Sequence, residues 1–188
     1  MSDESRGQQR DIEGYREYLR LLAQLQLDPG LQGKIDLSGV VQQTMLEAFQ
    51  AQPQCEFQHA DQFAAWLRRI LANNLADEIR KLRTGKRNVS RERSLEAALE
   101  QSSNRLQAWL AADQSSPSQH ARREEQTIRL SEALAKLPDA QREALMLRHF
   151  HDWPLAQIAE HLGRTNAAVA GLLKRGLQQL RNQLQDKE

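Results

Sequence analysis

The chain has 188 residues, with 26 Lys and Arg against 25 Asp and Glu and a net charge of +1, enough length for one or two small domains. Only 9 Gly, 5 Pro and 5% aromatic residues point to a helical protein, and one cysteine, Cys55, excludes an internal disulfide framework and fits a reducing cytoplasm. No apolar run approaches the roughly 20 residues that span a bilayer, and the polar start Met1-Ser-Asp-Glu-Ser-Arg-Gly lacks a signal peptide's apolar stretch, so no membrane insertion is expected.

Residues 1–10 read as a flexible N-terminus. Ile12, Tyr15, Leu19, Leu22 and Leu25 then recur at helical spacing until Asp28-Pro29-Gly30 breaks the pattern. Asp36 is placed to N-cap a second helix reaching about Gln50, with Val40, Val41, Leu46 and Phe49 as its apolar anchors. Residues 51–61 read as a loop. The strongest helical pattern follows: Phe63, Trp66, Leu67, Ile70, Leu71, Leu75, Ile79 and Leu82 form one apolar stripe, with Trp66 read as a core residue. Arg68, Arg69, Arg80 and Lys81 lie off that stripe, and basic residues continue through Arg83, Lys86, Arg87, Arg91 and Arg93.

Charge is distributed unevenly. Residues 1–61 carry five Lys or Arg against ten acids, whereas residues 62–93 carry nine against three. An acidic block beside a basic one predicts two partners of opposite charge. Basic residues are also favoured at a helix C-terminus by its dipole, but that effect does not call for nine of them.

Residues 94–118 are mixed. Leu95, Leu99, Leu106, Trp109 and Leu110 allow short helices, and Ser102-Ser103-Asn104 and Ser115-Ser116-Pro117-Ser118 are expected to interrupt them, so the segment reads as a linker. Ser118 is placed to cap a helix over Gln119–Leu137, ended by Pro138, and another runs from about Asp139 to Phe150. The expected fold is all-α: two small helical domains, at 11–93 and 119–188, joined by the linker 94–118.

Residues 155–172 read as a helix-turn-helix. Ile158, Ala159 and Leu162 give the first helix its apolar face, and small Ala159 suits a close crossing. Gly163 supplies the turn, Thr165 can N-cap the second helix, and Val169, Leu172 and Leu173 form that helix's buried side. The apolar pattern continues through Leu177, Leu180 and Leu184. The second helix of such a unit lies in a DNA major groove, although an αα-hairpin in a bundle packs by the same rules. Lys174 and Arg175, off the apolar stripe, are candidates for guanine edges, and Arg164 and Arg148 for phosphates. His149, His151 and His161 lack the Cys or acid that would complete a metal-ligand set, and no phosphate-binding loop or nucleophile elbow is present, so neither a metal nor a cofactor nor catalysis is expected.

Four segments in order carry a family resemblance. Asp36-Leu-Ser-Gly-Val-Val-Gln-Gln-Thr-Met-Leu-Glu-Ala-Phe49 resembles region 2.2 of the bacterial sigma-70 factors. Phe63-Ala-Ala-Trp-Leu-Arg-Arg-Ile-Leu-Ala-Asn-Asn-Leu-Ala-Asp-Glu-Ile-Arg-Lys81 resembles their promoter-melting helix. Leu137-Pro-Asp-Ala-Gln-Arg-Glu-Ala-Leu-Met-Leu-Arg148 resembles region 4.1. The helix-turn-helix with Leu173-Lys-Arg-Gly-Leu-Gln-Gln-Leu-Arg181 resembles region 4.2. The whole is most similar to the small extracytoplasmic-function (ECF) group. It departs at Gly39 and Gln43, where the family often has acids, and at Ala170, Gly171 and Leu172, where relatives often carry Arg, Ser and Arg.

The resemblance implies a cytoplasmic bacterial transcription-initiation factor that makes no covalent change. Core RNA polymerase and promoter DNA are its implied partners, with an anti-sigma factor as a further one. Asp36, Val40, Gln42, Gln43 and Glu47 would face the polymerase. Phe57 and Gln58 would hold a flipped base of the -10 element, although Phe57 equally suits a loop anchor. Arg68, Arg69, Arg80, Lys81 and Arg83 would track the opened strand. Arg164, Thr165, Asn166, Ala170, Gly171, Lys174 and Arg175 would meet the -35 element. A helix-turn-helix regulator that works without polymerase is the main alternative, but it leaves the Phe63–Arg83 helix unexplained. A nucleic-acid-processing enzyme lacks the acid, base or metal groups it would need.

Overall fold

The computed structural model describes residues 11–27, 34–57, 59–83, 89–113 and 120–185. Among them it is all-α. A short 3-10 turn, Glu13–Tyr15, leads into α1 (Arg16–Leu25). There follow α2 (Leu37–Ala51), α3 (Ala60–Arg83), α4 (Val89–Asp113), α5 (His120–Ala135), α6 (Asp139–His149), α7 (Leu155–His161) and α8 (Asn166–Gln185). The expectations for residues 1–10, for the Asp28-Pro29-Gly30 break and for the Ser118 cap lie outside the described residues, as do Gln58, Lys86 and Arg87.

The first helical cluster is built around α1, which buries Tyr18, Leu19, Leu21, Leu22, Ala23 and Leu25 and packs against α2, α3, α4 and α5. A helix apolar on so much of its circumference sits inside a bundle rather than on its surface. The long stripe on α3 meets it: Phe63, Leu67, Leu71, Leu75 and Ile79 are buried, while Trp66 and Ile70 are half-buried against the same core. Each fully buried Leu or Phe contributes about 1.5–3 kcal/mol by leaving water.

α2 starts as expected, because the Asp36 carboxylate accepts from the Gly39 amide at 3.0 Å and satisfies one of the open N–H groups. Its anchors need correction. Val40, Val41, Thr44, Met45 and Ala48 form the buried face, whereas Leu46 is 50% and Phe49 59% exposed. The buried positions already complete one face at helical spacing, and Leu46 and Phe49 fall beyond its edge.

The segment expected to be broken at Ser102-Ser103-Asn104 is instead one helix of 25 residues. Leu99 and Leu106 are fully buried, and the serines between them have tertiary partners. Tyr18 Oη donates to Ser103 Oγ at 2.9 Å, and Gln26 Nε2 donates to Ser102 Oγ at 2.8 Å. Serine favours turns when its hydroxyl bonds its own backbone; here it is bonded from α1 and its end, so the helix continues. α4 packs on α1, α3 and α5.

The second cluster, α5–α8, ends in the helix-turn-helix. A small core of Ala144, Leu147, Ile158, Ala159, Val169 and Leu172 lies between α6, α7 and α8. Leu145, Met146, Phe150 and Leu180 instead join the larger core that begins at Ile12. Gly176 allows α8 to cross α6 closely, since a Cβ there would stand 2.9 Å from Leu145 Cδ1.

Candidate nucleic-acid interface

The turn between α7 and α8 is set by local chemistry. Gly163 has φ +61°, and two hydrogen bonds close the end of α7: Gly163 N–H to Glu160 O at 3.2 Å and Arg164 N–H to Ala159 O at 2.8 Å. These are the paired bonds of a Schellman cap. Thr165 Oγ1 then accepts from the Ala168 amide at 3.2 Å, which caps α8 as expected. Ala159 is buried at the crossing.

The preceding α6–α7 loop carries Asp152 at φ +56°, a conformation Asp tolerates better than most residues, and Arg148 Nη1 donates to Trp153 O at 3.0 Å. Arg148 is thus engaged in shaping this loop. His161 Nε2 lies 3.0 Å from Glu143 Oε1, and the Trp153 ring stands edge-on to the His161 ring. Around this framed turn, Arg164, Thr165, Asn166, Ala170, Lys174 and Arg175 are all exposed, with Gly171 half-buried. Helix N-terminal amides and long basic side chains on one face suit a polyanion, the first for phosphate and the second for phosphate or a guanine edge.

On the first cluster, the basic residues of α3 do not all face one way. Arg68 is half-buried, and its Nη1 donates to Tyr18 Oη at 2.8 Å, so Arg68 is turned toward α1. Burial raises the Tyr18 pKa, opposed by the Arg68 charge, so Tyr18 stays a neutral phenol. Arg69 is exposed. Arg80 pairs with Asp77 at 2.8 Å and Lys81 with Glu78 at 2.6 Å, both one turn away on the same helix. The sequence count of nine bases against three acids missed this local neutralisation. Arg83 ends α3, and its side chain lies outside the described residues.

Phe57 sits in an aromatic cluster. Its ring centroid is 5.1 Å from Phe63, edge to face, and 5.1 Å from Trp66; Phe63 in turn meets Tyr15 at 5.2 Å. Phe57 therefore anchors the loop before α3, partly buried against the core. Trp66 belongs to the same cluster, as expected.

The α2 face also differs in part from expectation. Val40 is 5% exposed and packs inward, so it has no place on an outer face. Gln42 and Gln43 are exposed. Gln43 Nε2 donates to Glu47 Oε1 at 2.7 Å, and Asn74 Nδ2 of α3 reaches Glu47 Oε2 at 3.3 Å and Thr44 Oγ1 at 3.2 Å. Asp36 is spent on the cap. The residues missed by sequence reasoning are Leu46 and Phe49. With Gln42 they form an exposed line at i, i+4 and i+7. The signal was present: Val40, Val41, Thr44, Met45 and Ala48 suffice for the buried face.

Among the described residues, no group of three or more His, Cys, Asp or Glu is placed to hold a metal, and no helix is long and apolar enough to cross a membrane. The described residues form an all-α protein with a helix-turn-helix in its second cluster and an exposed apolar line on α2 in its first.

Comparison with protein families gives these parts a name. The Sigma-70 region 2 model matches residues 15–84, and the Sigma-70, region 4 model matches residues 127–180. The chain therefore carries sigma-70 regions 2 and 4, in that order, which supports a sigma-factor role in transcription with RNA polymerase and DNA as partners. No curated protein is similar enough to the chain to match it. α4 falls between the two matched segments.

Proposed function

We propose that this chain is a sigma factor of the ECF group, working in the bacterial cytoplasm, that lends promoter recognition and strand opening to core RNA polymerase. The observation that carries the reading is the presence of both sigma-70 regions on one chain. Residues 11–93 serve polymerase and the -10 element, residues 119–188 serve the -35 element, and 94–118 connects them.

In this reading the α2 face of Gln42, Gln43, Leu46, Glu47 and Phe49 docks on polymerase. Two exposed large apolar side chains on one helix face are unusual on a free surface and are best explained by a partner. Gln58 receives an extruded -10 base, and Arg69, Arg80, Lys81 and Arg83 follow the opened strand; Phe57 is left out of base capture because it anchors the loop on Phe63 and Trp66. Arg68 is left out of that track because Tyr18 holds it. Arg164, Thr165, Asn166, Ala170, Gly171, Lys174 and Arg175 face the -35 element, with Lys174 and Arg175 as its readers. An anti-sigma protein that covers the α2 line is a further partner under this reading.

The test is run-off transcription with core polymerase on genomic promoter fragments. The chain should make core initiate at a defined set of promoters. Replacing Lys174 and Arg175 by Ala should abolish that selectivity while core affinity stays at the wild-type value. DNA binding by the chain alone, with no effect on initiation, would instead identify a regulator that is not a polymerase subunit.

A further inference from the structure

We infer that Gly171 is a positioning residue for DNA readout: its missing side chain leaves the place in which the Arg175 guanidinium lies. The inference rests on the proposed role of α8 at the -35 element. Two glycines interrupt α8, and a glycine inside a helix costs stability relative to alanine. Gly176 is accounted for by the fold, because a Cβ there would collide with Leu145 of α6. Gly171 has no such neighbour. Beyond the flanking residues and the helix's own backbone, the three nearest atoms to a Cβ built at Gly171 all belong to Arg175: Nη1 at 3.2 Å, Nη2 at 3.6 Å and Cζ at 3.7 Å.

This geometry follows from helix stereochemistry. Residues i and i+4 are neighbours, and side chains lean toward the N-terminus, so Arg175 reaches back over position 171. Both Nη atoms stand nearer than Cζ, so the Nη edge of the guanidinium tilts toward the backbone of that turn. It is thereby carried toward the N-terminal half of α8, the part of a recognition helix that meets base edges. Exposed Ala170 and side-chain-free Gly171 leave that surface low, so a guanine edge can approach it and a turn of the flexible side chain brings both nitrogens onto its two acceptors. A β-carbon at 171 would move the guanidinium by about a few tenths of an ångström, and a longer side chain would take its place, in neither case disturbing the core, because only the far end of a flexible side chain must move.

The experiment selects duplexes from a random-sequence DNA library with the full chain bound to core polymerase. It compares the wild type with Gly171→Ala, Gly171→Met, Arg175→Ala and the double variant Gly171→Met with Arg175→Ala. The wild type should enrich a motif with a guanine preference that Arg175→Ala lowers about tenfold or more. Gly171→Met should lower the preference at the same position, Gly171→Ala should do so by less, and the double variant should match Arg175→Ala alone. Thermal unfolding of Gly171→Ala should lie at or above the wild-type midpoint, which separates the effect from misfolding. A wild-type motif retained in Gly171→Met overturns the inference, as does a further change when Gly171→Met is added to Arg175→Ala. A wild-type chain that enriches no motif overturns the promoter-reading function itself.

Discussion

Arg68, Tyr18 and Ser103 form a chain of hydrogen bonds that ties α3 to α1 and α1 to α4. Tyr18→Phe removes the acceptor for a partly buried guanidinium and the donor to a buried serine, and should cost about 1–3 kcal/mol in urea unfolding. The same geometry separates two neighbouring arginines. Arg69→Ala should lower the salt slope of single-strand binding by about 0.7, the value for one phosphate contact. Arg68→Ala should leave the slope unchanged and lower stability instead. Equal slopes for Arg69→Ala and wild type would remove α3 from the strand track. Further along α4, Trp109 stacks on His149 with ring centroids 4.9 Å apart. Burial first, and then the Arg148 charge, lower the His149 pKa below its ordinary value, with Asp152 opposing. The unfolded chain therefore takes up this proton at higher pH than the folded one. The resulting stability is full above the unfolded value of about 6.5 and is lost as pH falls through the lowered folded value. His149→Gln should flatten that acid limb in urea titrations between pH 7.5 and 5; an unaltered limb would place its origin elsewhere.

Elements were legible in proportion to how local their determinants are. The Gly163 turn and the Thr165 cap are decided within a few residues, so both could be read from the sequence. Thr165→Ala should accordingly loosen the start of α8 by about 1 kcal/mol, seen as a lower unfolding midpoint and weaker duplex binding. α3 was legible because its apolar period is long. α4 was not, because the partners that satisfy Ser102 and Ser103 come from Gln26 and Tyr18, more than 70 positions earlier in sequence. α2 was legible in its extent and in two of its four expected anchors, Val40 and Val41, which are buried. Apolar composition marked Leu46 and Phe49 as core, and only the packing of α1 and α3 determines which face is covered. Leu46→Glu with Phe49→Glu should weaken core polymerase binding at least tenfold while leaving thermal stability near wild type, because half or more of each side chain is already in water. A large drop in midpoint would mean that this line supports the fold instead of a partner. The Arg80 and Lys81 pairings were open to sequence reading, since Asp77 and Glu78 stand three residues before them.

Across the whole molecule, the larger core crosses the boundary between the matched regions. α5 packs on α1, Tyr15 Oη donates to buried Glu124, and Leu180 of α8 joins the core that begins at Ile12. Arg105 of α4 adds a bond from Nη1 to Phe150 O at 2.6 Å and lies 3.6 Å from Asp152. Such an arrangement should open in two grades. Hydrogen exchange should be slowest in α1 and the middle of α3, whose side chains are covered by several helices, and faster in α7, which has seven residues and rests on the small core. Exchange in α7 as slow as in α1 would show that the small core is not a separate unit.

The stacking of Trp109 on His149 gives the molecule a native optical gauge. An indole in contact with an imidazole emits according to how near that ring is and whether it is protonated, and here the two rings belong to α4 and to the last turn of α6. In a chain where Trp66 and Trp153 are replaced by Phe, emission from Trp109 alone would report the separation of these helices without any attached dye. Mixing such a chain with core polymerase would then show, in real time, whether the connecting helix keeps its grip on region 4 or lets it go.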